Sequence, residues 1–434
     1  MENKKPFEAE KNFQETFNET RDLVNNHEGA AWVLTQELRV GFENESQEKL
    51  FDGIEIKTID EAQDKAFDVI SKTLEGLEGV IDLSRIEVAH GKGHFARDYI
   101  HAMILAEGAV LDPERPMDPR QAYVGIVAGA LHDILGCALV NRYDEKFRAV
   151  RHAEAGAILF SKIADKIDVS PKEASLISYA IAAHTRYAKS EKVECAFDGE
   201  EREIQPYKEY REIGGEKEPI MALVLAKWAD RFDVNGPCFV GRHFLTLIKE
   251  HFDYASDTGK FYRVGFDEAM RPLLRPESEI AKDPLEKTMR EHLQTYYNSQ
   301  NNNTDYGRFD YGKMAEMREE YKERLLRIIK AFDSPIELSA KEEESLLDRW
   351  TQWLSQNIEP SESGSEVAGQ LREMFLKLPQ GIKEPWFGAM QTTLKEYGEW
   401  SQETLERMQE LPERYATIPM IGDIKEIISF ERAK

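Results

Sequence analysis

Along most of the chain, apolar side chains return every three or four residues, the spacing of one face of an α-helix. The two-residue alternation of a half-buried strand is almost absent. That pattern constrains the fold more than any other feature and predicts an all-α protein. Helices are expected over 8–40 and 60–78, with an acidic, loop-like stretch at 43–60 between them. The densest apolar helices run from about 94 to 255. Helix starts are signalled where Asp118 precedes Pro119 and where Ser170-Pro171-Lys172-Glu173 forms a capping box. From the latter start, Ile177, Ala180, Ile181 and His184 share one face. Residues 188–217 read as a charged, irregular insertion, and the Asn-rich run 298–303 as a linker or exposed loop. Beyond it, Met314, Met317, Tyr321, Leu325, Ile328 and Phe332 step by three and four, and a second break at 360–365 precedes further helices. The expected division is an N-terminal helical extension (1–80), a central domain (81–297) and a C-terminal helical domain (307–434).

A chain of 434 residues exceeds one ordinary core, and its 41% hydrophobic content is enough to fill two or three. No stretch approaches the apolar length that crosses a bilayer, so no membrane partner is expected. The start, Met1-Glu2-Asn3-Lys4-Lys5, is polar and lacks a secretory core, so a cytoplasmic location is expected. Cys137, Cys195 and Cys238 are scattered and odd in number, which suits reduced core thiols. The formal net charge of −24 disfavours a nucleic-acid polymer as partner. It leaves room for a small phosphorylated substrate, because bound metal ions dominate the field of their own site.

Four of the ten histidines lie among apolar and small residues: His94, His132, His152 and His184. Asp133 follows His132 inside such a run, and Asp230 closes another. Buried carboxylates there are costly unless paired or metal-bound. Imidazole with carboxylate suits Fe, Mn, Co or Zn. Successive helical residues diverge by about 100°, so His132 and Asp133 can both serve ions only where their helix meets others. Gly125, Ala128 and Gly129, and Ala153, Ala155, Gly156 and Ala157, would permit that close approach.

The order His94, His132-Asp133, His152, His184, Asp230 resembles the HD superfamily of metal-dependent phosphohydrolases. The strings Gly93-His94-Phe95-Ala96-Arg97, Leu131-His132-Asp133, Arg151-His152-Ala153-Glu154-Ala155-Gly156-Ala157, Ile181-Ala182-Ala183-His184-Thr185 and Lys227-Trp228-Ala229-Asp230-Arg231 carry the likeness. It is similar to the branch that includes the symmetrical diadenosine tetraphosphate hydrolases, and covers roughly 85–240. The resemblance implies an HD helical bundle and two divalent ions (Fe, Mn, Co or Mg). One would be held by His94, His132, Asp133 and Asp230, the other by His152, His184 and a bridging Asp133. It implies hydrolysis of a phosphoester or phosphoanhydride of a small nucleotide, with His132 and Asp133 central to catalysis. Lys92, Arg97, Arg186, Lys227 and Arg231 are the candidate phosphate-binding cations, although Lys227 could instead pair with Asp230, three residues on.

Ile134-Leu135-Gly136-Cys137 after the His-Asp pair departs from the cyclic-di-GMP phosphodiesterase pattern and sets that substrate aside. Two other readings stand. HD-type di-iron oxygenases use the same ligand types, though the expected substrate-contacting Lys or His is missing after Asp133. A metal-bound, non-catalytic sensor would use 307–434 as an interaction module. His101, on the face of His94, reads as structural or as a support to the ligands. Glu154 supports His152 or is solvated, and Trp350, Trp353, Trp386 and Trp400 read as packing.

Overall fold

The computed structural model describes residues 6–26, 47–83, 86, 90–139, 145–184, 191–194, 201–204, 210–213, 216–255, 260–263, 285–302 and 313–430. The protein is all-α. It divides into two compact units: one of Met1–Ile86, Asp98–Asp230 and Thr417–Gly422, the other of Glu87–Arg97, Arg231–Ala416 and Asp423–Lys434.

The first unit contains α1 (Pro6–Asn26), α2 (Ile59–Leu77), most of α3 (Lys92–Val110), α4 (Pro119–Leu139), α5 (Glu145–Ile163), α6 (Pro171–Ala182) and α7 (Met221–Asn235) as far as Asp230. Local chemistry starts these helices. The Thr58 side chain accepts from Glu61 N ahead of α2. Asp118 Oδ1 accepts from Arg120 N at 2.8 Å ahead of α4, and the Ser170–Glu173 capping box opens α6. Helix α4 is the centre: α2, α5 and α6 pack on it, and Val124, Ile126, Leu131 and Ile134 are buried on its different sides. Contrary to the sequence reading, α4 is long and apolar enough to cross a bilayer. Its apolar stretch is 94% buried inside the protein, which makes it a core helix.

Glycines set how closely α4 is approached. A Cβ at Gly129 would stand 3.1 Å from the Ala229 Cβ of α7 and 3.2 Å from the Ala102 Cβ of α3. One at Gly136 would collide with the carbonyl of His152 on α5. Only hydrogen fits at that crossing.

Among its described residues, the charged insertion is not irregular. It carries two antiparallel hairpins, β1 (Glu191–Glu194) with β2 (Glu201–Ile204), and β3 (Tyr210–Ile213) with β4 (Glu216–Pro219). Strands built from charged residues give no apolar alternation to read.

The second unit holds α8 (Pro237–His251), the hairpin β5 (Phe252–Ala255) and β6 (Lys260–Arg263), α9 (Leu285–Asn302), α10 (Lys313–Ala331), α11 (Ala340–Trp353), α12 (Glu362–Lys377), α13 (Gln380–Met408) and α14 (Ile424–Ile428). The Asn-rich run expected as a linker is helical through Asn302, since α9 propagates into it and asparagine only weakly opposes a helix. The tryptophans pack as expected: Trp386 lies 5.0 Å from Phe244 and Trp350 4.7 Å from Trp353, ring to ring. Between α11 and α12, Leu354–Ile358 winds as a π-helix, a local distortion of the helical ladder. Glu359, just after it, is 3% exposed, with Gly91 set directly against its carboxyl group.

Candidate metal centre

The site is built around the adjacent pair His132-Asp133 on α4. Their divergence sends His132 towards Asp98 of α3 and Asp133 towards His152 of α5 and His184 at the end of α6. His132 Nε2 stands 3.6 Å from Asp98 Oδ2 and 3.5 Å from Asp133 Oδ2. The other oxygen of Asp133, Oδ1, lies 3.0 Å from His152 Nε2 and 3.4 Å from His184 Nε2, and these two ring nitrogens are 3.1 Å apart. The Gly136 crossing is what lets α5 bring His152 this close. His132, Asp98 and His184 are buried, and His152 is half-buried.

Two of the rings are oriented by their own backbone. His132 Nδ1–H donates to Gly129 O at 2.8 Å, and His184 Nδ1–H donates to Ile181 O at 2.6 Å. A carbonyl only accepts, so each Nδ1 carries a proton, and whenever either ring is neutral its Nε2 lone pair faces Asp133. Lone pairs facing a carboxylate repel it unless a positive charge lies between. Two donors each about 2.1 Å from a common ion, at a tetrahedral angle, stand about 3.4 Å apart. The spacings of His132 and His184 from the carboxylates match that value. Fixing a metal-binding imidazole through its other nitrogen is the usual support of such a ligand.

Without an ion, protons show the same field. Burial opposes charge on His132, but Asp133, then Asp98 and Asp230, outweigh it and push its pKa up to about 9. Burial, then the charge of His132, push His184 down to about 4.

The ligand atoms of Asp98, His132 and Asp230 lie within 4.8 Å of one another, as do those of His132, Asp133 and His184. This buried His/Asp cluster could hold a metal ion, and its donors fit one. Of the expected ligands, the first unit thus brings together His132, Asp133, His152, His184 and Asp230. His94 lies in the second unit's part of α3, is buried, and donates from Nδ1 to Asp233 Oδ2 at 2.7 Å.

The candidate phosphate cations fare unequally. Arg97 is fully buried and engaged inside the second unit: Nε donates to Asp233 Oδ1 at 2.5 Å and Nη1 to Asn357 O at 2.6 Å. Arg242 Nη1 joins at 2.8 Å from Asp233 Oδ2. Burial resists charge on Asp233, yet Arg97 and then Arg242 hold its carboxyl well below the usual range. Arg97 is therefore a structural cation, not a phosphate ligand. Lys227 is buried on α7, one turn before Asp230. Lys92 and Arg231 are half-buried in the second unit, and Arg186 lies outside the described residues. Asp98 was missed by sequence reasoning, although it follows His94 by four residues in an apolar helix, the spacing of one helical face. Glu154 is fully buried, not solvated, and His101 is buried. Cys137 and Cys238 are buried free thiols, and Cys195 lies outside the described residues.

Set against known protein families, characterised proteins and solved structures, the chain matches none of them. What this centre binds must be argued from its own donors.

Proposed function

We propose that the protein is a metal-dependent phosphohydrolase of the HD type, acting on a phosphoester or phosphoanhydride of a small nucleotide. The observation that carries the reading is the pair of imidazoles, His132 and His184, each with Nδ1–H tied to a backbone carbonyl and Nε2 set 3.5 and 3.4 Å from opposite oxygens of Asp133. That is a site prepared for cations, with one carboxylate placed to serve two of them. Divalent ions bound there would supply a water of lowered pKa and clamp the phosphoryl oxygens.

The chain's own residues have plain tasks. Asp133 and the imidazoles hold their donor atoms in fixed directions, so little reorganisation accompanies binding. The apolar residues around α4 keep water out of the protein behind the ligands. Lys227, buried beside Asp230 in sequence, supplies positive charge on the α7 side. The sequence order, read with the resemblance, would add His94 as a further ligand.

The test is turnover of a panel of mono-, di- and dinucleoside phosphates with Mn²⁺, wild type beside Asp133→Ala. Product release by the wild type alone is the expected result. No turnover by either protein, with two irons per chain as isolated, would move the assignment to a di-iron oxygenase. Stable ion binding with neither chemistry would leave a sensor.

A further inference from the structure

The geometry points to two chemically unequal ion positions lying side by side at α4. Asp98 is a direct ligand at the first, which makes that position the one for a hard, oxygen-preferring ion such as Mn²⁺ or Mg²⁺. This rests on the metal-binding part of the function proposed above, not on the hydrolysis.

A neutral imidazole nitrogen has one lone pair, so His132 Nε2 can ligate one ion only. Asp133 has two oxygens and uses them in two directions: Oδ1 lies 3.0 and 3.4 Å from His152 and His184, while Oδ2 lies 3.5 Å from His132. Asp133 therefore offers one oxygen to each side. His132 stands 3.6 Å from Asp98 Oδ2, and the donors of Asp98, His132 and Asp230 share one space no wider than 4.8 Å. The separation of His132 from Asp98 is too long for a hydrogen bond and suits two ligands on one ion.

The ligands then partition. The first position takes Asp98, Asp230, Asp133 Oδ2 and His132, so oxygen donors dominate. The second takes His152, His184 and Asp133 Oδ1, so nitrogen donors dominate. Carboxylate oxygen suits Mg²⁺ and Mn²⁺, whereas imidazole suits Zn²⁺ and Fe²⁺. The second position is also poorer in negative charge, with a single shared carboxylate.

The experiment uses the full chain, stripped of metal with a chelator. One equivalent of Zn²⁺ is added, then excess Mn²⁺, and bound ions are counted by elemental analysis after desalting. Electron paramagnetic resonance reads whether the bound Mn²⁺ is magnetically isolated. The wild type should hold one Zn²⁺ and one isolated Mn²⁺. Asp98→Asn should keep Zn²⁺ and lose Mn²⁺ affinity by at least the 10- to 100-fold typical of disturbed metal sites, and Asp98→Glu should restore part of it. His184→Gln should show the reverse, keeping Mn²⁺ and losing Zn²⁺. A wild type that binds a single ion, or fewer than one Mn²⁺ per chain beside its Zn²⁺, overturns the inference, as does an Asp98→Asn protein with undiminished Mn²⁺ affinity. Should Asp98→Asn fail to fold, the wild-type ion count decides alone. A protein that binds both ions as described and hydrolyses no nucleotide would sink the phosphohydrolase reading and leave this one intact.

Discussion

His132 and His184 differ from ordinary core histidines in what their second nitrogens do. An isolated buried ring satisfies itself as it can; these two give Nδ1–H to carbonyls three residues back and aim Nε2 at one carboxylate. The residue types were legible in the sequence because His and Asp stand out against apolar neighbours. Their partners were not. Asp98 has no apolar contrast of its own beside Arg97, and the engagement of Arg97 with Asp233 and Asn357 joins residues far apart in the chain. Glu359 is a similar case. Burial pushes its pKa up to about 7, against the opposing effects of Ser361, Arg97 and His94. A carboxyl raised on folding contributes fully below the usual carboxylate range, and its contribution is lost as pH rises through about 7. Glu359→Gln should therefore come closest to the wild type near pH 4 and exceed it near pH 8.5 by up to roughly 3 kcal/mol, given about 1.4 kcal/mol per pKa unit. Urea unfolding at the two pH values would show it; an equal difference at both would refute a buried neutral carboxyl.

At the level of helices, the sequence was most informative where periodicity and capping agreed. Asp118 and Ser170 each mark a start that the structure uses. It was least informative where structure is carried by polar residues: the hairpins β1–β2 and β3–β4, and the last turn of α9. The crossing of α4 and α5 was only half visible, since small residues permit close approach without saying which pair meets. Gly136→Ala should force the helices apart at the His152 carbonyl, at about 1–3 kcal/mol in stability, and should reduce ion binding at the His152–His184 side. Gly369, on α12, has open space where a Cβ would go. Gly369→Ala should stabilise by about 0.5–1 kcal/mol and leave metal content unchanged. Thermal unfolding with elemental analysis on both variants checks the pair, and equal metal loss in both would remove the role given to the crossing.

For the molecule as a whole, ion binding and stability should be linked. Ligands that bind only the folded state add about 2.7 kcal/mol at a concentration 100 times their Kd. Chelation should lower the melting temperature, and Mn²⁺ should restore it. Because the chain carries a net charge of −24, general screening of self-repulsion also stabilises it, so NaCl at matched ionic strength is the control. Recovery with NaCl equal to that with Mn²⁺ would show screening, not coordination.

Helix α4 carries a last consequence, in time and not in space. The ribosome completes it after α2 but before α5, α6 and α7 exist. During that interval this helix, long and apolar enough to pass for a bilayer span, has only the helices made before it, α1 to α3, to lie against. Its newborn form is the stage at which the protein is most exposed to aggregation and to mistaken delivery to a membrane. The hazard ends only when synthesis reaches Ala229 and the last wall closes over Gly129.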